Sequence, residues 1–104
     1  MTLEDIKKIP LYQTRSISEA CAEPLTLAYV FGCLDRFYSG DYGEIDAEDT
    51  QANNDDLAAG EGHILARYKK EACLQDDIYI EAHFSQTIPG EDANNTLIMY
   101  PGER

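Results

Sequence analysis

The sequence predicts a single α+β domain over residues 1–104, with N-terminal helices packed on a three- to four-stranded antiparallel sheet. Three observations predict it. Leu27, Val30, Phe31, Leu34, Phe37 and Tyr38 recur at helical spacing and form one apolar stripe. Ile78, Ile80, Ala82 and Phe84 alternate with Tyr79, Glu81 and His83, the period of a strand with one buried face. The change of period falls once, after Gly62, so helices come first and strands follow.

Each element has its own signal. Thr2 caps a short first helix with Glu4 and Asp5 in its first turn, and Pro10 ends it. Leu11 to Arg15 reads as extended, because Pro10 resists helix continuation. Ser16 and Glu19 fit a capping box for a short second helix ending near Glu23. Pro24 suits the first turn of the helix that carries the apolar stripe, and Gly40 stops that helix. Asp46 caps a further helix to about Ala59, with Gly60 as its stop. Its apolar face is thin, only Ala47, Leu57 and Ala58, so it is expected at the surface. Ile64, Ala66 and Tyr68 then oppose His63, Leu65 and Arg67 across a strand. Thr96 to Tyr100 forms the last strand, closed by Pro101 and Gly102.

Composition narrows the partners. The 104 residues carry 20 acidic and 8 basic side chains, a net charge of −12. That disfavours direct contact with nucleic acid or an anionic membrane, which require cations. No run of residues approaches the roughly 20 apolar positions of a membrane span. The opening MTLEDIKKIP lacks the apolar core of a signal peptide. Cys21, Cys33 and Cys73 are an odd, widely spaced set and a poor disulfide framework. The expectation is a cytoplasmic protein with reduced thiols.

Eight acids lie between Asp41 and Glu61: Asp41, Glu44, Asp46, Glu48, Asp49, Asp55, Asp56 and Glu61. No Lys or Arg falls between Arg36 and Arg67. The segment reads as a surface that docks on a basic groove by imitating nucleic-acid phosphates, or as an ordinary solvated helix face. It does not reproduce the ligand spacing of an EF-hand, so no calcium site is expected. His63, Arg67, Glu81 and His83 form a polar patch if their strands are neighbours. Zinc needs three or four convergent ligands, and neither a Cys-x-x-Cys pair nor a close His pair is present. Cys33 lies beside the apolar stripe, a packing position. Cys21 and Cys73 have acidic neighbours, which disfavour a reactive thiolate. There is no Gly-x-Ser-x-Gly elbow and no phosphate loop. No cofactor, metal or catalytic residue is expected. Tyr42, in the turn Ser39-Gly40-Asp41-Tyr42-Gly43, reads either as an interface anchor or as the link that folds the helix back to the sheet.

The string Phe37-Tyr38-Ser39-Gly40-Asp41-Tyr42-Gly43-Glu44 resembles the Gly-Asp-aromatic-Gly motif of a family of small proteins from bacterial plasmids, phages and integrative elements. The resemblance continues through Asp49, Asn53, Leu57 and Gly60, then Ile64 to Tyr68, Ile78 to Ile80 and Thr96 to Met99. It spans roughly residues 25 to 100. That family has tryptophan where Tyr42 stands and a different strand ending near His83. The resemblance implies a mobile-element context, in which small acidic proteins often inhibit host defence, as anti-restriction and anti-CRISPR proteins do.

The resulting expectation is a non-enzymatic inhibitor that places Asp41, Tyr42, Glu44, Asp46, Glu48, Asp49, Asp55 and Asp56 against the basic groove of a nucleic-acid-handling host protein. The alternatives are a small ligand-binding or enzymatic domain using the His/Arg/Glu patch, or a homodimeric accessory protein paired through an exposed strand edge.

Overall fold

A computed structural model describes residues 1–104. Thr2 caps α1 (Leu3–Lys7) in a capping box with Asp5. The extended segment after Pro10 is short: β1 is Leu11–Gln13, and Arg15 already belongs to α2 (Arg15–Ala20). The α2 cap is Thr14, not Ser16, and its hydroxyl accepts from the Ile17 N–H at 3.4 Å. The hydroxyl two residues upstream reaches the first free amide, so Ser16 falls inside the first turn. Pro24 opens α3 (Pro24–Tyr38), and Glu23 caps it by accepting from the Leu25 and Thr26 N–H groups. Asp46 caps α4 (Ala47–Ala59), which stops at Gly60 in the left-handed region. β2 (Glu61–Tyr68), β3 (Ile78–Ser85) and β4 (Asn95–Met99) follow, with a short 3-10 turn at Pro101–Glu103.

The sheet order is β1-β4-β3-β2. The last three strands form an antiparallel meander. β1 pairs with β4 in parallel, so the sheet is mixed and not purely antiparallel as expected. Three helices and two strands separate β1 from β4, and a connection of that length permits either direction.

The alternating residues set the layers. Ile64, Ala66, Tyr68, Ile78, Ile80, Phe84 and Ile98 are buried on one sheet face. They join Ile6, Ile17, Val30, Leu34 and Phe37 from the first three helices in one core. The buried line of α3 is Thr26, Val30, Cys33, Leu34 and Phe37, one position round from the expected stripe. Leu27 and Phe31 stay 39% and 57% exposed. β1 is three residues long and lies at that edge of the sheet, so it does not extend far enough to cover them.

Candidate functional site

The Gly-Asp-Tyr-Gly turn is a clasp between α3 and β2. Gly40 and Gly43 have φ of 89° and 70°, angles that favour glycine. Asp41 pairs with Arg36 at 2.7 Å and accepts from the Gly43 N–H at 3.1 Å. The Arg36 guanidinium first, and that N–H second, hold the Asp41 carboxyl below its ordinary value. The Tyr68 hydroxyl donates to the Asp41 carbonyl at 2.7 Å. Gly43 then runs beside Arg67 in an isolated parallel bridge. Tyr42 is 5% exposed and meets Phe37 edge-on, with ring centroids 6.1 Å apart. The expected role of Tyr42 as an interface anchor is therefore corrected: the ring fills the core and is not offered to a partner.

α4 lies along the outer edge of β2 and closes it. Asn53 is 3% exposed; its amide donates to the Leu65 carbonyl at 2.8 Å and accepts from the Leu65 N–H at 3.0 Å. One side chain thus imitates a neighbouring strand. Asp56 accepts from the His63 N–H at 3.0 Å. At the next outward position, Arg67 N–H donates to the Tyr42 carbonyl and the Glu44 N–H donates to the Arg67 carbonyl. The N-terminal ammonium of Met1 donates to the Leu57 carbonyl at 3.1 Å, a further tie on the helix.

These bonds divide the eight predicted acids. Asp41, Asp46 and Asp56 hold a turn, a helix cap and a strand edge. Asp55 accepts from the Gln51 amide, and Glu44 stands 3.9 Å from Lys69. Glu61 accepts from the Ser85 hydroxyl. Glu48 and Asp49 occupy the first turn of α4, where carboxylates complement the helix dipole. Asp46, Glu48, Asp49 and Asp55 are all exposed, and α4 carries no basic residue.

The other sheet face assembles the polar patch. His63 and His83 are direct cross-strand partners, with ring centroids 5.7 Å apart. Glu81 lies between them with its side chain 7% exposed. His83 Nε2 is 3.3 Å and His63 Nε2 4.0 Å from its carboxylate. Arg104 adds Nη2 at 2.8 Å and Nε at 3.2 Å, both on Oε2. Nothing in the local sequence pointed to Arg104; its contact spans 23 residues and depends on the 3-10 turn at Pro101–Glu103. Arg67 is drawn away to Asp77 at 2.9 Å. The guanidiniums of Arg67 and Arg104 lie 5.7 and 5.9 Å from the Tyr79 ring centre. A groove of 230 Å³ adjoins the patch, lined by Asp49, Asn53, His63, Leu65, Tyr79 and Arg104 among others.

No protein-family model matches the chain, and no curated protein or solved structure matches it. The chemistry must therefore be read from the side chains. No group of three or more His, Cys, Asp or Glu side chains converges as metal ligands. Cys21 and Cys33 are buried, and burial pushes both thiols up, away from the nucleophilic thiolate. No helix is long and apolar enough to cross a membrane.

Proposed function

We propose that the protein is a non-enzymatic inhibitor that binds a nucleic-acid-handling host protein, of the anti-restriction or anti-CRISPR type. Its docking surface is the exposed acidic face of α4 with the preceding turn. One observation carries the reading: Asp46, Glu48, Asp49 and Asp55 stand exposed on a helix without a single cation. Asn53 and Asp56 lock that helix to β2, so its charges keep fixed positions. A phosphate imitator needs fixed charge, because ordering it on binding would cost affinity. Tyr42 has no part in this surface, and Asp41 and Asp56 act mainly from within the fold. The sequence resemblance to mobile-element proteins supports the same reading.

The test is a cell-based defence assay. Cells bearing a restriction or CRISPR system and expressing this protein are challenged with susceptible phage. Expression raises plating efficiency, and the triple variant Glu48→Lys, Asp49→Lys, Asp55→Lys abolishes the gain. These positions leave the Asp46 cap and both strand-edge bonds intact. Protection by the folded triple variant equal to that of the parent sinks the acidic-face mechanism.

A second reading rests on the groove beside Glu81, where His63 and Arg104 face Asn53 and Tyr79. It assigns that space to a small polar ligand. Thermal-shift screening of metabolites against the parent and the His63→Ala, His83→Ala variant separates the two readings. A ligand that stabilises the parent alone favours the groove.

A further inference from the structure

The sheet has two edges, and only one of them is closed. On β2 the outward N–H groups of His63, Leu65 and Arg67 and the carbonyls of Leu65 and Arg67 have partners supplied by α4 and the preceding turn. On β1 the opposite holds. The Thr96 N–H donates to the Pro10 carbonyl at 2.8 Å, and the Thr14 N–H donates to the Ile98 carbonyl at 3.0 Å. Even positions of this segment therefore face β4. The N–H and carbonyl groups of Leu11 and Gln13 turn outward, where the sheet has no further strand.

Beside this edge lies an apolar groove of 270 Å³. Seven of its eight lining residues are hydrophobic. Leu11 of β1 and Leu27 and Phe31 of α3 are 44%, 39% and 57% exposed. The register sets Leu11 beside Thr96 and Gln13 beside Ile98, which places their side chains on the helix face. A strand added outside β1 sends alternate side chains to that same face, against Leu27 and Phe31. Backbone groups and groove thus call for one kind of occupant, an extended segment with apolar residues at every second position.

Charge selects its source. Glu91 accepts from the Tyr12 hydroxyl at 2.9 Å. Asp35 stands exposed one turn beyond Phe31. No Lys or Arg lines the groove, and Arg15, just after β1, is paired with Glu19. Tyr12 alternates with Leu11 and Gln13, so Glu91 lies on the opposite face of β1 from the groove, where the other alternate side chains of an added strand point, and those positions of the fitting segment carry Lys or Arg. A second copy of this chain sets acid against acid and adds another −12.

We propose that the β1 edge and the adjoining face of α3 receive an extended segment of apolar residues alternating with basic ones, added to the sheet as a fifth strand by a partner protein. This surface is at the opposite edge of the sheet from α4, three strand spacings or about 14 Å away. It stands or falls independently of the acidic-face reading.

The experiment pans a phage-displayed random-peptide library against the intact protein. The expected result is an enriched set with apolar residues at alternate positions and Lys or Arg between them. Phe31→Asp lowers the affinity of these peptides about tenfold or more. Gln13→Pro, which removes an outward N–H and no bond within the sheet, does so as well. Far-UV circular dichroism and thermal melting check that both variants remain folded. The triple α4 variant Glu48→Lys, Asp49→Lys, Asp55→Lys retains peptide binding. Failure to enrich such peptides overturns the proposal, as do peptides indifferent to both variants. A dimer in sedimentation equilibrium that Phe31→Asp disperses also overturns it, by giving the groove to a second copy.

Discussion

Asn53, Glu81 and Thr96 are three polar side chains buried for different reasons. Asn53 replaces a missing strand, and each of its two bonds satisfies a backbone group that water would otherwise reach. Glu81 is held by Arg104 and flanked by two imidazoles, so its charge is compensated where it is buried. Thr96 differs from both. It is fully buried on the core face, and its hydroxyl has no hydrogen-bond partner. A buried hydroxyl without a partner costs stability that an isosteric methyl does not. Thr96→Val is expected to stabilise the fold by about 1 kcal/mol, read as a higher midpoint in urea with an unchanged slope.

The clasp between α3 and β2 shows how a short motif serves an element. Gly43 has φ of 70°, and a Cβ there would stand 2.0 Å from the Arg67 carbonyl oxygen. Alanine thus meets both backbone strain and a collision with backbone that has no rotamer to move. Gly43→Ala is expected to cost about 2 kcal/mol or more in chemical denaturation. It also frees the Arg67 end of the β2 edge, so the Arg67 amide should lose hydrogen-exchange protection ahead of Leu65, which Asn53 still covers. The connection from β2 to β3 is tied in a similar way. Asp77 accepts from the Lys70 N–H at 2.9 Å and pairs with Arg67. The backbone N–H first, and the guanidinium second, hold its carboxyl below the ordinary aspartate range. A depressed carboxylate stabilises the fold above its unfolded value and loses that contribution as pH falls through the folded one. The stability gap between parent and Asp77→Asn should therefore be full at neutral pH and close as acid protonates Asp77.

Taken together, the elements make a molecule with one guarded sheet edge, one open edge and a net charge of −12. The charge repels itself in the folded state more than in the expanded chain. Added salt screens this repulsion over a Debye length of about 10 Å at 0.1 M. The melting temperature should consequently rise when sodium chloride is raised from low to moderate concentration. A fall would mean that the pairs of Arg36 with Asp41, Arg67 with Asp77 and Arg104 with Glu81 outweigh the general repulsion. The same screening weakens a partner held on α4 more than one at the β1 edge, where apolar contacts and backbone bonds add to charge.

Features set by near neighbours in the chain could be read from residue types alone. Asp46 and Gly60 bound α4, Pro24 opens α3, and the alternation from Ile78 to Phe84 marks β3, because caps, fixed dihedrals and side-chain period act within a few residues. The acidic character of α4 was equally plain. Features that join distant segments were not readable in this way. The parallel direction of β1, the burial of Tyr42, the strand-like role of Asn53 and the arrival of Arg104 at Glu81 each depend on contacts across the folded chain. A residue's type states what bonds it can make, but packing chooses which partner it meets. For Tyr42 that choice settled between two readings, a surface anchor and a link from helix to sheet, in favour of the buried link, and for Leu27 and Phe31 it turned apparent core into an open groove.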